Sequence, residues 1–151
     1  MDTIHIEGLR VDALVGVHPH ERDGRQPLLF DLALAFDNTV AAATDDVADA
    51  LDYAAVCEAV RDFVAGRGDQ LLETLLEGLA EALMAQFTHA RQLRLRVHKP
   101  EAARALGCAD VGVSCKIYQR GSMPRWRSRL RGCARYPPLP RRIRSNDAPF
   151  A

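Results

Sequence analysis

Lysine is almost absent from this chain. Of 20 basic side chains only Lys99 and Lys116 are lysine, and the rest are arginine. A guanidinium stays protonated at any working pH, so proton transfer is excluded at most of the chain's cationic positions. An amine in such a sequence has to be read separately from the general positive charge. Cysteine is also sparse: Cys57, Cys108, Cys115 and Cys133 show no C-x-x-C spacing, and a reduced, cytoplasmic protein with free thiols is the simplest reading. No apolar run approaches the length that crosses a membrane. The start, Met1-Asp2-Thr3-Ile4-His5, lacks the basic residues and long apolar stretch of a secretory leader.

What is present describes a globular protein. A length of 151 residues is that of one domain with a real core, and 48% apolar with 26% charged residues fits a soluble fold. The formal net charge of zero conceals an asymmetry. Residues 122–151 hold eight arginines against the single acid Asp147, together with five of the eight prolines, and no helical or strand periodicity. A division follows: a domain over 1–121 and a largely disordered arginine- and proline-rich tail over 122–151. Such a tail either docks on an acidic partner or is a solvated extension. A basic run alone is too weak a signal to point to nucleic acid.

Periodicity organises the domain. Ile4 and Ile6 alternate with His5 and Glu7, and after Gly8 the apolar run Leu9–Val17 predicts an extended segment with a bulge. A turn-rich loop, His18–Pro27, leads to a strand with Leu28, Phe30, Leu32, Leu34 and Phe36 on one face. Residues 37–52, acidic and small, read as a long connection. Helices follow over Ala54–Val64 and Gln70–Phe87, the second with Asp69 as its expected N-cap. Leu93–His98 and Asp110–Tyr118 read as strands, and Pro100 stops the first of them. The order is β-β-α-α-β-β. Each clear strand has an apolar face and a polar or small one, the latter carrying Asp31, Arg94, Arg96, His98, Gly112, Ser114 and Lys116. This predicts an α+β two-layer sandwich: a four-stranded antiparallel sheet with two helices on one face. Its open edges favour pairing with other copies.

Within this frame Lys99 sits at a strand exit, a place that suits chemistry and a solvated terminus equally. Four strings give it company: Gly16-Val17 leading to Glu21, Asp45–Tyr53 before the first helix, Leu71-Leu72-Glu73-Thr74-Leu75 opening the second, and Val97-His98-Lys99-Pro100. In this order they resemble the dihydroneopterin aldolase family, whose members have the tunnelling fold, and the resemblance covers residues 2–121. It implies an aldehyde-lyase of folate biosynthesis. The reaction is cleavage of the trihydroxypropyl side chain of 7,8-dihydroneopterin, giving 6-hydroxymethyl-7,8-dihydropterin and glycolaldehyde. It also implies a homo-oligomeric, barrel-like ring, an octamer in many members, with sites between subunits. Neither a metal nor another cofactor is implied, because the pterin's own C=N bond accepts the electrons.

The resemblance assigns roles residue by residue. Glu73 anchors the pterin through its 2-amino group and N3–H. Lys99 assists removal of the 2′-hydroxyl proton through a water, Tyr53 relays a proton at the enol intermediate, and Glu21 positions the water or a side-chain hydroxyl. Leu51 and Leu72 flank the pterin ring. The residues themselves leave plainer readings open: Glu73 with Glu77 and Glu81 as a solvated acidic face, Tyr53 packing its ring, Glu21 as a loop carboxylate, and the leucines as core.

Three further readings stand beside this one. Ala105-Leu106-Gly107-Cys108-Ala109-Asp110-Val111 resembles the sister branch, dihydroneopterin triphosphate 2′-epimerase, whose first step is the same bond cleavage. His18-Pro19-His20 is an H-x-H string of the kind that holds zinc, here with no third ligand at a matching spacing. Last, a ring with a basic tail is also the plan of a non-catalytic binding module.

Overall fold

The computed structural model describes residues 1–119. The expected tail over 122–151 lies outside the described residues.

Four strands form one sheet in the order β1-β2-β3-β4, with every neighbouring pair antiparallel. They are β1 (Asp2–Ala13), β2 (Gln26–Phe36), β3 (Gln92–His98) and β4 (Gly112–Tyr118). The expected bulge is present: pairing of β1 with β2 shifts register between Ile6 and Leu9. Gly8 takes a φ of 66° there, in the left-handed region open to glycine. In β2 the alternation is strict, with Leu28, Phe30, Leu32, Leu34 and Phe36 buried and the intervening residues partly exposed.

Two helices cover the apolar face. In α2 (Tyr53–Ala65), Val56, Val60 and Val64 make a buried stripe at helical spacing. Asp52 caps this helix by accepting from the N–H groups of Ala54 and Ala55. In α3 (Leu72–Gln86), Leu72, Leu75, Leu76, Leu79 and Leu83 form the inner stripe, opposite Leu93, Leu95 and Val97 of β3. Each fully buried leucine removed from water contributes about 1.5–3 kcal/mol, so this one seam is a large part of what holds the two layers together.

Some local expectations are corrected. Asp69 does not cap α3. Its two carboxylate oxygens accept from Nε and Nη2 of Arg67, at 2.8 Å each, and α3 begins after Leu71 without a side-chain cap. The 37–52 connection contains a short helix, α1 (Thr39–Thr44), and a 3-10 turn, Val47–Asp49. Pro100 both ends β3 and opens a helix missed in the sequence, α4 (Pro100–Leu106), which closes on Gly107 at a φ of 71°. Proline suits the first helical position because its missing N–H would be unpaired there anyway.

Candidate active site

Where β3 ends, a cleft of about 760 Å³ opens between four segments. They are the β1–β2 loop with Glu21, the start of α3 with Leu72 and Glu73, the β3–α4 junction with Lys99, and the start of β4 with Gly112. Lys99 Nζ donates to Glu21 Oε1 at 2.5 Å, and both side chains are only about a tenth exposed. The contact joins residues 78 apart in sequence. The other oxygen of Glu21 accepts the backbone N–H of His18 at 3.1 Å, which closes a 3-10 turn over Pro19–Arg22.

The loop is tied to the helix layer. Arg22 donates to the carbonyls of Gly68, at 2.9 Å, and Asp69, at 3.2 Å, while Gly16 N–H donates to Asp69 O at 3.3 Å. Gln26, buried, donates to Val15 O at 2.8 Å. Gly16 has a φ of 144°, and a Cβ built on it would overlap the Glu21 carboxyl, so only glycine lets the carboxylate lie against the loop. No sequence signal marked Arg22 or Gln26, because their partners are main-chain carbonyls. Gly16 was marked by the resemblance, as part of Gly16-Val17.

The hydrogen bond from Lys99 is the main cause that lowers the Glu21 pKa to about 2 from an ordinary 4.5; burial opposes it and the His18 N–H assists. A folded pKa below the unfolded one means stabilisation that is complete above about pH 4.5 and lost as pH falls through 2. Glu21→Gln should therefore melt below the wild type by a constant margin from neutral pH down to about 4.5, and the margin should shrink below that. Thermal melts over this range check it; a gap that is unchanged at the acid end would refute the pairing.

Of the residues expected at the site, the structure gathers Lys99, Glu21, Glu73 and Leu72 around this cleft. Glu73, second residue of α3, is exposed and makes no hydrogen bond or ion pair among the described residues. Glu77 and Glu81 do not line the cleft. The structure does not bring in the remaining two. Leu51 is buried and lines a second cleft, of about 490 Å³, with Phe36 and Phe87. Tyr53 is 65% exposed at the start of α2, two residues on. Leu29 of β2 pairs with His98, so this second cleft at Phe36 lies seven residues along β2 from the Lys99 end. That is roughly 23 Å at about 3.3 Å per residue. His18 and His20 stand at the rim of the first cleft with their rings stacked at 5.6 Å, rather than converging on a point. Among the described residues no group of three His, Cys, Asp or Glu side chains is placed to hold a metal ion.

A half-covered antiparallel sheet, with an amine locked to a carboxylate in a cleft at one end, defines a small α+β enzyme equipped for proton transfer. The family model described as "FolB: Dihydroneopterin aldolase" matches residues 4–116. The Escherichia coli K12 dihydroneopterin aldolase is 42% identical over 123 residues, 81% of this chain and 95% of that protein. The Haemophilus influenzae dihydroneopterin aldolase is 37% identical over 75% of this chain and 93% of its own length. The crystal structure of the E. coli enzyme in complex with neopterin superposes with a TM-score of 0.72 at 38% identity, covering 78% of this chain and 99% of that one. This chain belongs to the dihydroneopterin aldolase family. Its activity is that family's aldehyde-lyase reaction.

Proposed function

We propose that the cleft at Lys99 binds the pterin of 7,8-dihydroneopterin and that cleavage of its side chain takes place there. The observation that carries this reading is the Lys99–Glu21 contact in the same cleft as the carboxylate of Glu73, which has no partner among the described residues. A pterin presents two parallel donors, the 2-amino group and N3–H, and a carboxylate accepts both at once. Held by Glu73, the ring extends its side chain toward the Lys99 amine. A water ordered by the Lys99–Glu21 pair passes the 2′-hydroxyl proton to the Lys99 amine, and the ammonium so formed stabilises the oxyanion. The C1′–C2′ bond breaks, C2′ leaves as the aldehyde carbon of glycolaldehyde, and the electron pair passes from C1′ into the ring C=N bond. A proton returned to C1′ through Tyr53 gives the hydroxymethyl product.

Tyr53 and Leu51 come from a neighbouring subunit in this reading. They lie at the far end of the protomer's sheet, while β1 and β4 are open edges at which copies join into a ring. Subunit mixing tests the arrangement. Tyr53→Phe and Lys99→Ala homo-oligomers should each be nearly inactive, while dissociation and co-assembly should restore roughly a quarter of the wild-type rate, because random pairing makes one interface in four intact on both sides. Mixed oligomers that stay as inactive as their parents would place Tyr53 outside the site.

A further inference from the structure

On the polar face of the sheet, one residue before Lys99, His98 bridges two carboxylates that the roles above leave unused. Its Nε2 is 2.7 Å from Asp31 Oδ2, on β2, and its Nδ1 is 2.9 and 3.0 Å from the two oxygens of Asp110, in the segment before β4. Arg96, on β3, donates to Asp110 at 2.6 Å, and the Gly8 N–H at the β1 bulge donates to Asp31 at 2.7 Å. Glu7, also on β1, lines the same polar depression as Asp31 and Arg96. One imidazole therefore holds together β2, β3 and the approach to β4. The next residue is Lys99, whose backbone N–H donates to the carbonyl of Val111 at 2.7 Å. His98 by its side chain and Lys99 by its main chain fasten the same dipeptide, Asp110-Val111. Successive strand side chains point to opposite faces, so fixing His98 on the polar face directs Lys99 away from it, to the cleft.

We infer that His98 is a positioning residue for Lys99: by donating to Asp31 and Asp110 together, it fixes the strand end from which the amine reaches Glu21. The inference rests on the reading of Lys99 as the residue that handles the 2′-hydroxyl proton. Two simultaneous donations require the imidazolium, since neutral imidazole has one N–H. Burial alone would lower the His98 pKa, but the hydrogen bonds and charges of Asp31 and Asp110 outweigh it, and the pKa lies above the ordinary 6.5. The Asp31 pKa is net lowered: burial raises it, and the Gly8 N–H and His98 overcome that. The Asp110 pKa is lowered chiefly by His98 itself. For a raised histidine pKa, the clamp is complete below pH 6.5 and is lost as pH rises through the folded value.

The test is steady-state turnover of 7,8-dihydroneopterin by the full-length chain from about pH 5.5 to 9, with an imidazole NMR titration of the same samples. For His98→Gln, a loss of about tenfold in kcat with KM within about twofold is expected, together with disappearance of a descending step in the wild-type profile. Asp31→Asn should keep that step but move its midpoint to lower pH, because one of the two charges holding the proton is gone. A purely structural His98 would instead lower the melting temperature and leave the profile's shape unchanged, and that result overturns the inference. Should His98→Gln not fold, Asp31→Asn and the NMR midpoint decide: a wild-type midpoint at or below 6.5, or no shift in the variant, refutes it. Lys99→Ala separates the two failures. If it is inactive while His98→Gln behaves as wild type, only the clamp is wrong; if Lys99→Ala is fully active, the reading of the cleft is wrong.

Discussion

Replacing Lys99 by alanine is expected to lower kcat by about 10²–10⁴-fold, the usual contribution of a positioned acid–base group, while KM for 7,8-dihydroneopterin changes little. On the proposed reading the amine, held against Glu21, acts on the substrate's side chain while Glu73 holds its ring. Truncation also leaves the Glu21 carboxylate, little exposed to water, without its cation. Lys99→Arg distinguishes charge from proton transfer. A guanidinium preserves the cation but, always protonated, cannot take up the 2′-hydroxyl proton, so this variant should stay nearly as slow as the alanine one. Release of glycolaldehyde, followed by coupling to an aldehyde reductase, measures both. An arginine variant with most of the wild-type kcat would mean that Lys99 supplies only a positive field.

Glu73→Gln should act on the other side of the kinetic scheme. A hydrogen bond to a charged group contributes about 1.5–3 kcal/mol, so pterin affinity should fall by roughly 10–150-fold, with a smaller change in kcat. The amide retains one acceptor but turns an N–H toward a ring donor, leaving both unsatisfied. Glu77→Gln is the control, since Glu77 lies on the same helix outside the cleft. Calorimetric titration with neopterin reads the difference. Equal affinities for the two variants would return Glu73 to the role of a solvated helix carboxylate.

How far such assignments were legible in the sequence depended on the range of the interaction. The strands were readable because alternation is local: β2 buries every second residue without a break. Capping and short helices were less so. Asp69 looked like an N-cap until Arg67, two residues earlier, was seen to take its carboxylate, and Pro100 reads equally well as a strand stop and a helix start. At the site, the shared cleft of Lys99, Glu21 and Glu73 was anticipated from family resemblance alone, since no spacing rule links residues 78 apart. The sequence placed His98 and Asp31 on one face, yet their contact depends on the β2–β3 register, and that of Asp110 on the path of the chain after α4.

The way α4 grows out of β3 has a bearing on how this enzyme can change its substrate. Lys99 is gripped through its main chain and followed at once by a proline, so its backbone has little freedom to drift. Beyond that fixed point, α4 offers Ala102, Ala105 and Leu106 to the cleft and anchors itself inward through Ala103. On the proposed reading, the reacting amine and the residues that shape the rest of the cleft sit on adjoining stretches, joined where the Ala103 N–H donates to the Lys99 carbonyl at 3.1 Å. Enlarging or polarising Ala102 or Ala105, while leaving the inward-facing Ala103 that holds the Lys99 carbonyl, would reshape the space for longer or charged side chains, which makes this helix the natural place for directed evolution to begin.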